Sequence, residues 1–166
     1  MKLESIDQLF LLELRDLHSA KRQLTAALPK IAAKVKSPQL RKAIEDHLEQ
    51  TIGHVERLEQ IFQDLELPMG SHKCKAMEGL IAEGDELLKA DADDAVRDAA
   101  LIGAAQRVEH YEMAGYGTAR TYAEMLGFDE AAQLLQETLD EEGAADKLLT
   151  ELAVTSINAK AQKAGA

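Results

Sequence analysis

Apolar residues recur at spacings of three and four along most of this chain, the period of helices that turn one face to a core. Four long runs carry the pattern. In the first, Ile6, Leu9, Phe10, Leu17, Ala20, Leu24, Leu28, Ile31 and Val35 mark one face, and Ser5 with Gln8 forms a capping box at its start. Pro29 withdraws one backbone donor and is expected to kink or divide this helix near its end. Ser37-Pro38 opens the second helix, which the spacing predicts to about Leu65, with Leu40, Ile44, Leu48, Val55, Leu58, Phe62 and Leu65 facing the core. Leu67-Pro68-Met69-Gly70-Ser71 is the clearest break. A shorter amphipathic helix follows from Lys73 to Lys89, holding Met77, Leu80, Ile81, Leu87 and Leu88. Asp91 to Asp94 then caps the third long helix, which ends near Gly127. The fourth runs from about Asp129 beyond Leu152, with Ala131, Leu135, Thr138, Leu149 and Leu152 as its stripe.

These elements make an all-α fold, because no stretch alternates as a half-buried strand would. The long connection between the second and third long helices makes the bundle one with a crossover, and lets those two helices run parallel. The short helix is expected to lie across that connection. The length of 166 residues is that of one domain, with residues from about 159 to 166 left to fray for want of anything to pack against.

Composition narrows the function classes. Acidic residues outnumber basic ones by 30 to 19, and a net charge of −11 repels nucleic acid and anionic membranes. Lys160 and Lys163 are too few to make the tail a DNA-binding arm. Cys74 is the sole cysteine, so an intrachain disulfide is excluded and a reducing compartment fits. Neither a membrane-spanning run nor a signal-peptide core is visible, and the expectation is a soluble cytoplasmic protein.

The candidate chemistry lies in acids that interrupt the apolar stripes. Leu101, Ala104, Ala105, Val108, Gly115, Ala119, Tyr122 and Leu126 repeat at helical spacing, and Glu112 occupies a place in the same series with Glu109 beside it. Buried carboxylates one turn apart need a cation, a proton or an arginine. Glu142 sits inside the stripe of the fourth long helix, with Asp146 one turn on, while Asp16 and Glu49 lie at the margins of the first two. Asp16 to Glu49 and Glu109 to Glu142 are each 33 residues apart, as facing helical hairpins with acids at one level would require. Acids converging from four helices form a hard, oxygen-rich pocket suited to iron or manganese, the arrangement of ferritin-like dimetal sites. Without metal, repulsion and burial would raise their pKa values.

Other polar residues read as bystanders. Tyr111, Tyr116 and Tyr122 are expected to pack with wet hydroxyls, His110 to point outward, and Cys74 to be an inert thiol. His47 and His54 are seven apart, and the histidines otherwise show no ligand-pair spacing.

Asp16-Leu17-His18-Ser19-Ala20, His47-Leu48-Glu49-Gln50-Thr51, Cys74 to Leu80, Arg97-Asp98-Ala99-Ala100-Leu101, Val108 to Thr118, and Glu141-Glu142 followed by Asp146 resemble the YciE/YciF family of bacterial stress-response proteins, in register over nearly the whole chain. The Glu109-His110-Tyr111-Glu112 segment is the most distinctive part. The resemblance implies a ferritin-like four-helix bundle, a homodimer, a role in general stress, and metal ligands at Asp16, Glu49, Glu109, Glu112, Glu142 and Asp146. One departure stands out. The wider ferritin-like pattern Glu-x-x-His meets Ile52 after Glu49 and Ala145 after Glu142. The expected function is a stress-response protein with a carboxylate-rich di-iron or manganese site reacting with oxygen or peroxide, an oxidase or peroxidase type of chemistry. The alternative is a metal-free helical stress protein acting through dimerisation or a protein partner.

Overall fold

The structure is a computed structural model that describes residues 3–164. Its helices are α1 (Ile6–Lys34), α2 (Pro38–Asp64), α3 (Lys75–Lys89), α4 (Asp94–Leu126) and α5 (Asp129–Leu152), then a wide π turn (Ala153–Ile157) and α6 (Asn158–Ala164). Among the described residues there is no strand. Caps set the ends: the hydroxyls of Ser5 and Ser37 accept from the backbone N–H of Gln8 and Leu40, and the Asp93 carboxylate accepts from Ala95. Gly127, in the left-handed region at φ 74°, stops α4. Pro29 does not divide α1, which continues to Lys34. One lost donor near the end is a local cost, and Ala32 and Val35, both buried just beyond the proline, hold the last turn in place.

The four long helices form a ring in which α1 packs on α2 and α4, and α5 packs on α2 and α4. Neighbours run antiparallel. Phe10 stacks near Phe128 at one end of the α1–α4 pair, whereas Lys21 meets Glu112 further along. On the α2–α5 pair, Arg57 reaches Thr138 and Glu141 while His47 lies near Glu142. The diagonal partners α2 and α4 are therefore parallel, and residues 65–93 with α3 carry the chain back along the ring. Cys74 caps α3 through its sulfur, and Arg15 fixes the crossover by donating to the Pro68 carbonyl at 2.6 and 3.0 Å.

The apolar interior falls into two parts. Phe10, Leu14, Leu17, Leu58, Ile61, Phe62 and Leu135 fill one end, and Leu24, Leu28, Leu40, Ile44, Leu101 and Leu149 the other. Polar side chains occupy the waist between them. There α1 and α4 approach closely: a Cβ on Gly115 would stand 2.8 Å from Leu17 Cδ2. At the far end, Asp98 is buried and accepts from the backbone N–H groups of Lys36 at 3.1 Å and Ser37 at 2.7 Å, pinning the α1–α2 turn to α4.

The tail departs from expectation. The chain stays helical to Ala164, because the π turn shifts the helical phase, buries Ile157 and lays α6 against α4. Residues 165 and 166 lie outside the described residues.

Candidate metal centre

Each long helix keeps its three-and-four spacing through the waist while exchanging apolar for polar side chains. On α2 the buried face runs Leu40, Ile44, His47, Thr51, His54, Leu58 and Ile61, and on α1 it runs Leu14, Leu17, Lys21, Leu24 and Leu28. On α4 and α5 it takes in Glu109, Glu112 and Tyr116, and Thr138 and Glu142. One ligand atom from each of His47, Glu109, Glu112 and Glu142 lies within 4.8 Å of the others. These four residues come from α2, α4 and α5, and α1 adds Lys21, which is completely buried. Its Nζ hydrogen-bonds Glu142 Oε1 and stands 2.9 Å from Glu112 Oε2.

The cluster is short of partners. Glu112 Oε1, Glu109 Oε2, Glu142 Oε2 and both ring nitrogens of His47 have no hydrogen bond, although His47 Nε2 is 3.4 Å from Glu109 Oε1. Buried polar atoms are nearly always satisfied, so several unpaired ones gathered in one place are unusual. Tyr116 beneath them is also fully buried with an unpartnered hydroxyl, and Lys21 Nζ lies 5.8 Å from its ring centroid. Its hydroxyl is dry, contrary to expectation.

Electrostatics follow from burial. Desolvation pushes Glu109 well above the usual carboxylate range, reinforced by Glu142 and Glu112. It does the same to Glu112, which Lys21 only partly offsets. Glu142 is held below its ordinary value, since burial is outweighed by Lys21 together with hydrogen bonds from His54 and Glu109. Burial opposes the charge on Lys21, but Glu112 and Glu142 outweigh it and hold the ammonium above its usual pKa. His47 is pushed down to about 4 by burial and is neutral at pH 7. A neutral imidazole and hard carboxylates are the donor set that Fe(II) and Mn(II) accept.

A further layer orients these donors. His54 places Nδ1 3.0 Å from Glu142 Oε1 and Nε2 2.6 Å from Glu141 Oε2, and Arg57 clamps Glu141 with both terminal nitrogens at 2.6 and 2.9 Å. A side chain fixed in this way holds a ligand's orientation. A cleft of about 230 Å³ between α2, α4 and α5, walled by Ile44, Ala105, Ala145 and Leu149, ends on His47 and Glu109 and gives access from solvent.

Of the six residues expected as ligands, Glu109, Glu112 and Glu142 meet in the cluster. Asp16, Glu49 and Asp146 do not. Asp16 faces the crossover, where it accepts from the Tyr111 hydroxyl and pairs with His72 at 2.9 Å. Glu49 is exposed on the outer side of α2. Asp146 accepts from Gln106 Nε2 at 3.0 Å and lies 3.4 Å from the outward-pointing His110. The sequence reading misses His47, His54 and Lys21. The signal for all three is the helical spacing itself, which they continue between apolar residues. Ile52 and Ala145 offer no imidazole, but His47, one turn ahead of Thr51 on the buried face of α2, brings one to the acids.

An all-helical protein with a buried carboxylate–imidazole cluster at its waist is the class these features define. The chain matches the family described as a domain of unknown function, DUF892, over residues 5–162, and it belongs to that family. It is 47% identical to protein YciF of Escherichia coli strain K12 over 163 residues, covering 98% of each chain, and is a homologue of that protein. The crystal structure of the E. coli stress protein YciF matches with a TM-score of 0.91, covering 94% of this chain and 99% of that one. YcfI from Rhodopseudomonas palustris, 40% identical, matches with a TM-score of 0.86 over 90% and 95% of the two chains. A protein from Xanthomonas campestris pv. campestris at 18% identity and a TM-score of 0.76, covering 98% of this chain and 100% of that one, shares the fold alone. No helix among the described residues is long and apolar enough to cross a membrane.

Proposed function

We propose that this chain is a stress-response protein built as a ferritin-like four-helix bundle, which binds divalent iron or manganese through His47, Glu109, Glu112 and Glu142. One observation carries the reading: each of these four residues has a buried side-chain atom without a hydrogen-bond partner, and one ligand atom from each lies within 4.8 Å of the others. A cation supplies what they lack. The likeness to the stress protein YciF supports the cellular role. Bound iron would supply electron transfer to oxygen or peroxide; the chain's own part is to hold the ion in a dry cage, orient its ligands through His54 and Glu141, and admit small molecules by the cleft.

Protein purified without chelator is expected to carry iron or manganese, and anaerobic Fe(II) added to the stripped protein should raise its melting temperature. Substoichiometric metal together with an unchanged melting temperature would remove the proposal.

Lys21 favours a second reading. Its ammonium already neutralises Glu142, and protons on Glu109 and Glu112 would close the remaining charge without metal. On that reading the protein acts by dimerising or by binding a protein partner. Glu112→Gln would then leave stress protection intact, whereas the metal reading requires its loss in a folded variant.

A further inference from the structure

We propose that Lys21 stands in the place of a second metal, so that the centre holds one divalent ion per chain and not a pair. The inference rests on the metal reading above and fixes its nuclearity. In two-metal centres the ions lie about 3.5–4 Å apart and share carboxylates that arrive from different helices. Here the group lying between carboxylates from α4 and α5 is the Lys21 ammonium, hydrogen-bonded to Glu142 and 2.9 Å from Glu112. It is fully buried, as are both acids, and its side chain lies over the Tyr116 ring. An ammonium so enclosed is a fixed part of the interior.

The atoms left over are donors for a single ion. Glu112 Oε1, Glu142 Oε2, Glu109 Oε2 and the imidazole of His47 remain unpartnered, while Glu142 Oε1 is engaged by Lys21.

The test is Mn(II) titration of the stripped full chain, with bound metal counted by equilibrium dialysis and its nuclearity read by electron paramagnetic resonance. One Mn(II) per chain with the hyperfine pattern of an isolated ion is expected. Two spin-coupled ions per wild-type chain would overturn the inference and leave the metal reading standing. No bound Mn(II) and no bound Fe(II) would overturn the reading itself. In Lys21→Met, loss of the neighbouring positive charge should tighten Mn(II) binding roughly tenfold or more, or admit a second ion. A folded Lys21→Met protein with unchanged affinity and unchanged stoichiometry would overturn the inference as well.

Discussion

Asp98 and Glu112 are buried acids on the same helix, fourteen residues apart, and both face inward. Their company differs completely. Asp98 accepts from two backbone N–H groups where α1 turns into α2, so its charge is used in joining segments of the chain. Glu112 has an ammonium 2.9 Å from Oε2 and no partner at Oε1. Burial of a carboxylate therefore does not mark a site. Unspent hydrogen-bonding capacity does, because evolution toward stability alone would have satisfied it or replaced it with an apolar side chain.

The comparison can be broken most violently at Glu142. Glu142→Ala removes one of the two buried counter-ions of Lys21, and a loss of about 3–5 kcal/mol in urea denaturation is expected. Metal loading should give the next largest effect. Mn(II) at about a hundredfold excess over its dissociation constant should add about 2.7 kcal/mol to the wild type and nothing to Glu112→Gln, measured by the shift of the denaturation midpoint.

Glu112→Gln in the presence of chelator sharpens the contrast through pH. The folded pKa of Glu112 lies above that of the unfolded chain, pushed up to about 8 from 4.5 by burial. Between those values the folded state keeps a proton that the unfolded state releases, so the group costs stability as pH rises. Glutamine removes that cost. The variant should match the wild type below the window and exceed it by a margin that grows as pH rises and levels off above pH 8. A constant difference across the range would contradict the assignment.

Asp98→Asn should show the smallest change, a loss of about 1–2 kcal/mol from the weakened hydrogen bonds at the α1–α2 turn. Unlike the waist variants, it should gain the same stabilisation from Mn(II) as the wild type. Parallel melts with and without metal check this.

Helix ends were legible because capping is local chemistry: Ser5, Ser37-Pro38 and Gly127 act within a few residues of themselves. The buried face of α2 was harder. Counting only apolar residues favours Leu48 and Val55, which are partly exposed, over His47, Thr51 and His54, which are buried. The helical period continued there while hydrophobicity stopped. Lys21 hides in the same way between Leu17 and Leu24, and a lysine is the last side chain that composition places in a core. Glu112 and Glu142 were visible since they interrupt otherwise apolar series. Equal spacing and family resemblance add Asp16 and Glu49, yet spacing along the chain says nothing about rotation around the axis, and Tyr111 and His72 meet Asp16 from elements remote in sequence.

The contact between Leu17 and Gly115 has a consequence for the charges one turn away. Leu17 stands four residues before Lys21 on α1, and Gly115 three after Glu112 on α4, so the hydrogen atom at position 115 acts as a spacer gauge for the ammonium and the carboxylate. A methyl group there would force Leu17 to shift and disturb the packing beside that pair. The electrical design of the interior thus depends on a place where the chain has nothing at all.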